Sequence, residues 1–152
     1  MDFRENMSSI INLAVLGCTG SIGRQTLSVV DMHPDLFCIT ALTAQRDAKG
    51  LGELAQKYRP RYIGLADAAS AANLPALEGR PQTVLGDQCN VLACEREDVD
   101  IVVIAVGGMQ GIFPLIAALE QGKKVALANK ESIVCGGELL GPLLNRNRAN
   151  LF

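Results

Sequence analysis

Three features of the 152-residue sequence predict an α/β fold with a doubly wound, mostly parallel sheet. An apolar run near the N-terminus stops at a glycine-rich turn and continues into an amphipathic helical pattern. Strand patterns and helical patterns then alternate along the chain, as in folds built from β-α units. The run at 101–106, IVVIAV, is apolar throughout, which is typical of a parallel strand covered on both faces.

The elements of the first half are delimited by clear stop signals. Spacing predicts that Ile22, Thr26, Val29 and Val30 share one face of the first helix. Pro34 ends this helix, because proline disfavours helical geometry at the residue before it. The predicted elements of this half are a strand at 10–16, a helix at 21–32, a strand at 37–43, a helix at 48–58 and a strand at 62–65.

The second half is less regular between residues 67 and 100 and becomes clear again afterwards. Gly122 gives the helix before it a typical C-terminal stop. Residues 149–152 have the pattern of the opening of a further strand. The predicted elements are a helix at 67–77, an edge strand at 82–85, a helix at 87–96, a strand at 101–106, a helix at 112–121, a strand at 125–128 and a helix at 133–144.

Composition indicates one globular domain at 10–152, preceded by a polar extension at 1–9. Hydrophobic residues make up 49 % and charged residues 20 %, and the formal net charge of −2 argues against nucleic acid or a membrane surface as partner. The extension lacks the apolar core of a signal peptide, and no apolar run approaches membrane-spanning length. Five cysteines without a C-x-x-C pair indicate reduced thiols, and hence a cytoplasmic protein, with Cys18 more readily explained by packing than by reactivity.

The glycine-rich turn is the strongest functional signal. Gly17 allows a sharp turn after the strand, Gly20 allows backbone N–H groups to approach a pyrophosphate, and Gly23 allows close packing of helix against strand. Thr19 and Ser21 add hydroxyl groups that can bind phosphate or cap the helix. The pattern favours a dinucleotide phosphate site at the helix N-terminus, with a ligand-free tight turn as the alternative.

The end of the second strand bears on which dinucleotide is bound. An NAD enzyme would place an acidic side chain on the ribose hydroxyls about 20 residues after the last glycine of the motif. Here the sequence is Gln45-Arg46-Asp47, so an arginine comes first. Arg46 can pair with the 2′-phosphate of NADP, which favours that cofactor. An ordinary solvated arginine is the alternative.

A polar string, Asn129-Lys130-Glu131-Ser132, follows the strand at 125–128. Such residues are poor core material and are well placed to reach a ligand at the carboxyl edge of the sheet. In the alternative interpretation, Ser132 is a helix cap and Lys130 and Glu131 are ordinary charges of the first turn.

Three motifs together resemble the N-terminal, Rossmann-like NADPH-binding domain of the 1-deoxy-D-xylulose 5-phosphate reductoisomerase family. They are the glycine-rich turn at 17–23, the Gly108-x-x-Gly111-x-x-Pro114 turn and the highly specific string at 128–132, ANKES. The resemblance implies an oxidoreductase of the non-mevalonate route to isoprenoid precursors. The family rearranges 1-deoxy-D-xylulose 5-phosphate and reduces it with NADPH to 2-C-methyl-D-erythritol 4-phosphate, and it requires Mg²⁺ or Mn²⁺.

The resemblance also implies roles for individual residues. It assigns the NADPH phosphates to Thr19, Gly20, Ser21 and Ile22. It assigns the adenosine end of the cofactor to Gln45, Arg46 and Asp47, and the nicotinamide end to Asn129 and Glu131. It assigns the substrate to Lys130. Family members commonly have glycine and asparagine where this chain has Gln45 and Asp47, so weaker cofactor binding or a changed geometry is expected there. No catalytic residue and no metal ligand is assigned to this chain.

In the family, the metal ligands and the substrate phosphate site lie in a later domain, and the subunits pair as homodimers. We therefore expect a cofactor-binding part of a longer protein that binds NADPH without turnover. A short-chain dehydrogenase is excluded, because neither Tyr58 nor Tyr62 is followed four residues later by the lysine of a Tyr-x-x-x-Lys pair. A non-enzymatic Rossmann module that senses nucleotides stays open, although it does not predict the string at 129–132.

Overall fold

The computed structural model describes residues 9–128, 130–146 and 150–152. The strands are β1 (Ile11–Leu16), β2 (Phe37–Ala44), β3 (Tyr62–Leu65), β4 (Gln82–Leu85), β5 (Ile101–Ile104) and β6 (Lys124–Leu127). The α-helices are α1 (Ser21–Met32), α2 (Ala48–Tyr58), α3 (Cys89–Cys94), α4 (Ile112–Glu120) and α5 (Lys130–Arg146). Two 3₁₀ turns cover Ala68–Asn73 and Gly108–Gly111.

The six strands form one sheet in the order β4-β3-β2-β1-β5-β6, and every pair of neighbours is parallel. From β1 the chain first builds outward through β2, β3 and β4, and then returns to add β5 and β6 on the other side of β1. The strand order therefore reverses between β1 and β5, which is the point where doubly wound sheets bind ligands. This arrangement confirms the predicted fold class.

Helices cover both faces of the sheet and divide the core into two clusters. On one face Leu27 and Leu51, from α1 and α2, pack with Val15 and Leu42. On the other face α3, α4 and α5 contribute side chains such as Leu115 and Leu140, which pack with residues from β1, β2, β3, β5 and β6. Burial on both faces explains why the central strands are apolar at successive positions rather than at alternate ones.

Several predicted boundaries are confirmed and others are wrong. The bounds of α1, α2, β3 and β4 agree with the prediction. The predicted helix at 67–77 is instead the 3₁₀ turn Ala68–Asn73, because it buries no side chain and Pro75 disfavours helical geometry at Leu74. The predicted face of α1 is only partly right: Val30 is buried and Thr26 is half-buried, but Ile22 and Val29 are exposed, and the helix buries Gly23 and Leu27 beside Val30 instead.

Differences at the C-terminal side affect the polar string. The strand predicted at 101–106 ends at Ile104, and the helix predicted at 133–144 begins already at Lys130. In place of the predicted further strand, residues 150–152 form an isolated bridge to β6, where the Phe152 N–H donates to the Val125 carbonyl over 2.8 Å. Leu151 forms a parallel bridge with Val125, so this segment extends the sheet beyond β6.

Candidate functional site

All predicted binding segments within the described residues lie at one edge of the sheet. Because every strand is parallel, the turns after β1, β2 and β5 and the start of α5 after β6 meet at the carboxyl edge. The turn after β1 and the turn after β5 flank the point where the strand order reverses. The topology thus brings together segments that are more than 100 residues apart in the sequence.

Two glycines of the turn have the structural roles that the sequence predicts. Gly17 has a φ of 79°, and a Cβ atom there would lie 2.6 Å from the Ala105 carbonyl oxygen. Gly23 lies against the turn, where an added Cβ atom would be 2.7 Å from Cys18 Cα. Only glycine therefore fits the sharp turn beside β5 and the close approach of α1 to β1.

The N-terminus of α1 presents unpaired backbone donors. Gly20 is the N-cap residue and has no side chain to accept a hydrogen bond, and the first turn contains no acidic residue. In the part of the chain that the structure describes, no side chain caps the N–H groups of Ser21 and Ile22, both of which are exposed. These donors and the positive end of the helix dipole suit a phosphate group.

Arg24 supports the same turn from within α1. Its Nε donates to the Thr19 carbonyl oxygen over 3.0 Å, and its backbone N–H donates to the Gly20 carbonyl over 2.9 Å. The guanidinium group therefore adds a positive charge beside the uncapped donors. Thr19 itself is half-buried. Sequence reasoning missed Arg24, although a basic residue directly after Gly23 was visible in the sequence.

Arg46 is largely free to meet a ligand. Its side chain is 80 % exposed, and its Nε lies 3.7 Å from Asp67 Oδ2. Asp67 lies two residues after the end of β3 and caps the 3₁₀ turn, because its Oδ1 accepts from the Ala69 N–H over 3.3 Å. An exposed ion pair at this distance is weak, so an incoming phosphate can compete with the carboxylate for Arg46.

Asp47 has a structural role that sequence reasoning did not assign to it. It is the N-cap of α2, and its Oδ1 accepts from the Gly50 N–H over 2.8 Å. An aspartate directly before a helical pattern is a familiar capping signal, which was available from the sequence. Gln45 is exposed on the same turn, and its backbone carbonyl oxygen accepts from the backbone N–H of Asp67 over 2.8 Å.

A cleft of about 680 Å³ opens between α3 and α4. Gln45 and Ala66, from the ends of β2 and β3, form one part of its lining. Phe113 and Pro114 of α4 form another part, and Asn90 of α3 lines it as well. The cleft therefore adjoins the turn that carries Arg46.

Lys130, Glu131 and Ser132 of the polar string lie in the first turn of α5. Lys130 and Glu131 are exposed, while Ser132 is fully buried. The Ser132 hydroxyl has no hydrogen-bond partner among the described residues, so its predicted alternative role as a helix cap is wrong. Asn129, the remaining predicted site residue of this string, lies outside the described residues.

Cys18 lies within the glycine-rich turn but is not reactive. Its side chain is fully buried, and this burial raises the pKa of the thiol to about 12. A thiol with such a pKa holds no useful fraction of thiolate near neutral pH. The packing interpretation of Cys18 is therefore confirmed.

The described residues do not supply a metal site. They contain no group of three or more His, Cys, Asp and Glu side chains placed to hold an ion. None of the helices within 9–128 and 130–146 is both long and apolar enough to cross a membrane.

Comparison with known proteins agrees with the resemblance seen in the motifs. A model of the 1-deoxy-D-xylulose 5-phosphate reductoisomerase family matches residues 13–137. The chain belongs to this reductoisomerase family. The family member from Symbiobacterium thermophilum is 42 % identical over 134 residues, which cover 84 % of this chain and 35 % of that protein.

Two solved reductoisomerases share the fold. The enzyme from Zymomonas mobilis in complex with NADPH is 33 % identical, with a TM-score of 0.86, and the match covers 95 % of this chain and 38 % of that one. A reductoisomerase in complex with NADPH, fosmidomycin and magnesium is also 33 % identical, with a TM-score of 0.82, and the match covers 93 % and 36 %. The chain thus spans somewhat more than a third of the length of its relatives.

Proposed function

We propose that this chain is the NADPH-binding domain of a 1-deoxy-D-xylulose 5-phosphate reductoisomerase. The observation that carries the proposal is the uncapped N-terminus of α1 beside a turn that only glycine can make. Thr19, Gly20, Ser21 and Ile22 would hold the pyrophosphate through backbone N–H groups and hydroxyls. Arg24 would add a nearby positive charge without blocking the donors.

Preference for NADPH over NADH would come from Arg46. A guanidinium group can bind a 2′-phosphate through charge-assisted hydrogen bonds, and this one is 80 % exposed at the end of β2. In this arrangement Asp47 affects cofactor binding indirectly. Its side chain caps α2 and so fixes the backbone of the turn that carries Arg46. Gln45 would contact the adenosine and would form part of its pocket.

The cleft between α3 and α4 is the place for the adenine ring. It adjoins Arg46 through Gln45 and combines the apolar side chains Phe113 and Pro114 with polar groups. The nicotinamide would then extend toward the start of α5, where Asn129 and Glu131 would contact it. Bound NADPH supplies the hydride for the reduction.

Lys130 would meet the substrate rather than the cofactor. It is exposed in the first turn of α5, beside the carboxyl end of β6. An ammonium group there suits the anionic substrate, a phosphorylated sugar. The described residues offer no ligand set for Mg²⁺ or Mn²⁺, so the metal would be held by the remainder of a full-length protein.

At the level of the whole protein, we propose the reductoisomerase activity of the family, in a cytoplasmic homodimer. This domain alone would bind NADPH and turn over no substrate, because it lacks a metal site in its described part. A nucleotide-sensing module is the competing function. It would use the turn at 17–23 in the same way, but it gives no reason for an exposed Lys130 next to Glu131.

Titration of this chain with NADPH and with NADH, followed by cofactor fluorescence, tests the proposal. We expect NADPH to bind at least about tenfold more tightly, as one charge-assisted contact implies. Arg46→Ala should remove that preference. Arg61→Ala is a matched control, because Arg61 is 77 % exposed, pairs with Asp98 at 3.7 Å and precedes β3 at the opposite edge of the sheet.

Equal affinity for the two cofactors, or an equal effect of the two arginine variants, would contradict the assignment of Arg46. Absence of binding to either cofactor would contradict the function proposed for this chain. To separate reductoisomerase from sensor, the lysine at the position of Lys130 can be replaced by alanine in a full-length family member. The reductoisomerase assignment requires that this change weaken fosmidomycin binding.

A further inference from the structure

Thr43 of β2 accepts hydrogen bonds from the first residues of the glycine-rich turn. Its carbonyl oxygen accepts hydrogen bonds from the N–H groups of Gly17, over 3.0 Å, and Cys18, over 2.8 Å. Its hydroxyl oxygen lies 3.3 Å from the Gly17 nitrogen and accepts from it as well. The Gly17 N–H is therefore shared between two oxygen atoms of one residue.

The Thr43 hydroxyl is itself held by Asn90 on α3. Its Oγ1 donates to Asn90 Oδ1 over 2.6 Å, and the two residues are only 1 % and 7 % exposed. Because the hydroxyl proton is used in this bond, the lone pairs of the oxygen remain for Gly17. The contact with Asn90 thus fixes the orientation in which Thr43 can accept from the turn.

Two further contacts keep α3 in place above β2 and β3. Tyr62 of β3 donates its hydroxyl proton to the Cys89 carbonyl oxygen over 2.7 Å. Gly64 leaves room for this approach, because a Cβ atom there would lie 2.7 Å from Cys89 Cβ and 3.0 Å from Thr43 Cγ2. Asn90 therefore has a fixed position relative to the carboxyl end of β2.

We infer that Asn90 and Thr43 form a positioning pair for the phosphate-binding turn. The inference rests on the proposed function, since the turn is assigned to the NADPH pyrophosphate. Gly17 is the residue at which the chain leaves β1, so the hydrogen bonds to Thr43 set the direction in which the turn departs. That direction decides where the N–H groups of Ser21 and Ile22 lie when a phosphate arrives.

Thr43→Val tests the pair in this chain, and Thr40→Val is a matched control. Thr40 lies in the middle of the same strand, is 5 % exposed and donates its hydroxyl proton to Asn12 Oδ1 over 3.4 Å, away from the glycine-rich turn. We expect Thr43→Val to weaken NADPH binding by about fivefold, the factor that corresponds to one net hydrogen bond. Thr40→Val should leave NADPH affinity unchanged, and Thr43→Ser, which keeps the hydroxyl, should restore it.

Binding of adenosine 2′-monophosphate separates positioning from general damage. This nucleotide lacks the pyrophosphate, so its affinity, measured from NMR shifts, should be the same for wild type and Thr43→Val. Asn90→Ala should also weaken NADPH binding, but Asn90 lines the cleft proposed for the adenine ring as well, so Thr43→Val is the variant that isolates the effect on the turn. Equal losses for NADPH and adenosine 2′-monophosphate would overturn the inference.

Amide hydrogen exchange tests the pair without any cofactor. We expect Asn90→Ala and Thr43→Val to accelerate exchange at Gly17 and Cys18 more than at the amides of β1. Unchanged exchange at Gly17 in both variants would overturn the positioning role, whatever the affinity for NADPH. Failure of the wild-type chain to bind NADPH would instead overturn the proposed function, so the two failures are distinguishable.

Discussion

A Cβ atom on Gly17 would lie 2.6 Å from the carbonyl oxygen of Ala105, so the ends of β1 and β5 are too close for any side chain between them. Gly17 also has a φ of 79°, which other residues adopt only at a cost. We expect Gly17→Ala to lower the free energy of unfolding by about 2 kcal/mol or more. Urea denaturation followed by circular dichroism measures this effect.

Gly20→Ala should separate stability from binding. Gly20 has a φ of −76°, and its added Cβ atom would meet only the Gly17 carbonyl oxygen, at 3.5 Å. We expect a change in unfolding free energy within about 0.5 kcal/mol, because the backbone is already in a region open to alanine. NADPH affinity should fall, since the methyl group occupies the approach to the donors of α1. A large loss of stability would show that this glycine is required by the fold instead.

Asp67→Asn should increase the preference for NADPH. The carboxylate lies 3.7 Å from the Arg46 guanidinium and would repel a 2′-phosphate bound there. Asparagine keeps the oxygen that caps the 3₁₀ turn but removes the charge. We expect NADPH to bind about two- to fivefold more tightly, as for other exposed charge pairs. NADH serves as the control in the same titration, and a parallel gain for it would argue against this explanation.

Asp47→Ala should destabilise the fold through α2. The change removes the carboxylate that accepts from the Gly50 N–H, and the loss of such a cap costs about 1 kcal/mol. Asp35→Ala is a suitable comparison, because Asp35 is exposed and lies outside the helices. Thermal unfolding of the two variants should give a lower midpoint for Asp47→Ala alone. If both midpoints are unchanged, the cap contributes nothing measurable.

Buried thiols should make the fold sensitive to alkaline pH. Burial raises the pKa of Cys89 from 9.0 to about 11, and those of Cys18 and Cys94 to about 12. Above pH 9 the unfolded chain releases these protons while the folded chain keeps them, so stability falls as pH rises. The slope is about 1.4 kcal/mol per pH unit for each thiol. Burial lowers the pKa of Lys123, and this shift makes stability rise with pH. It comes from one group, against three thiols.

Urea midpoints at pH 7.5, 9 and 10 measure this dependence. A thiol reagent provides an independent check, because Cys38 and Cys135 are exposed and should react in the native state. The three buried thiols should react only as the chain unfolds. Stability that stays constant between pH 9 and 10, or a third thiol that reacts rapidly, would contradict the burial of these side chains.

The overall fold could be predicted because its signals are local and mutually consistent. Apolar runs, glycine turns and the proline at 34 delimit the elements, and parallel order follows from the alternation of strands and helices. The prediction of a helix at 67–77 was wrong because the alanines of this segment favour a helix in isolation. Tertiary packing gives that segment no buried face, and Asp67 and Pro75 limit it to a short 3₁₀ turn.

The candidate site could be predicted only where a motif is contiguous. The roles of Gly17 and Gly23 follow from their spacing, and the structure confirms both. The contacts of Asp67 and Asn90 could not be predicted, because they depend on which strand ends become neighbours in the sheet. Thr43 and Asn90 are 47 residues apart, and nothing in the local sequence links them.

The strand order also has a consequence for the time course of folding. β1 is synthesised well before β5, yet it lies between β2 and β5, and its pairing with Ile101–Ile104 must wait until β5 has been made. A sheet made only of parallel pairs closes long loops before it gains its contacts, so slow folding is expected. Until β5 docks, Gly17 has no Ala105 beside it, and the apolar edge of β1 stays open to other chains. The nascent chain is therefore most prone to aggregation before its fifth strand is complete.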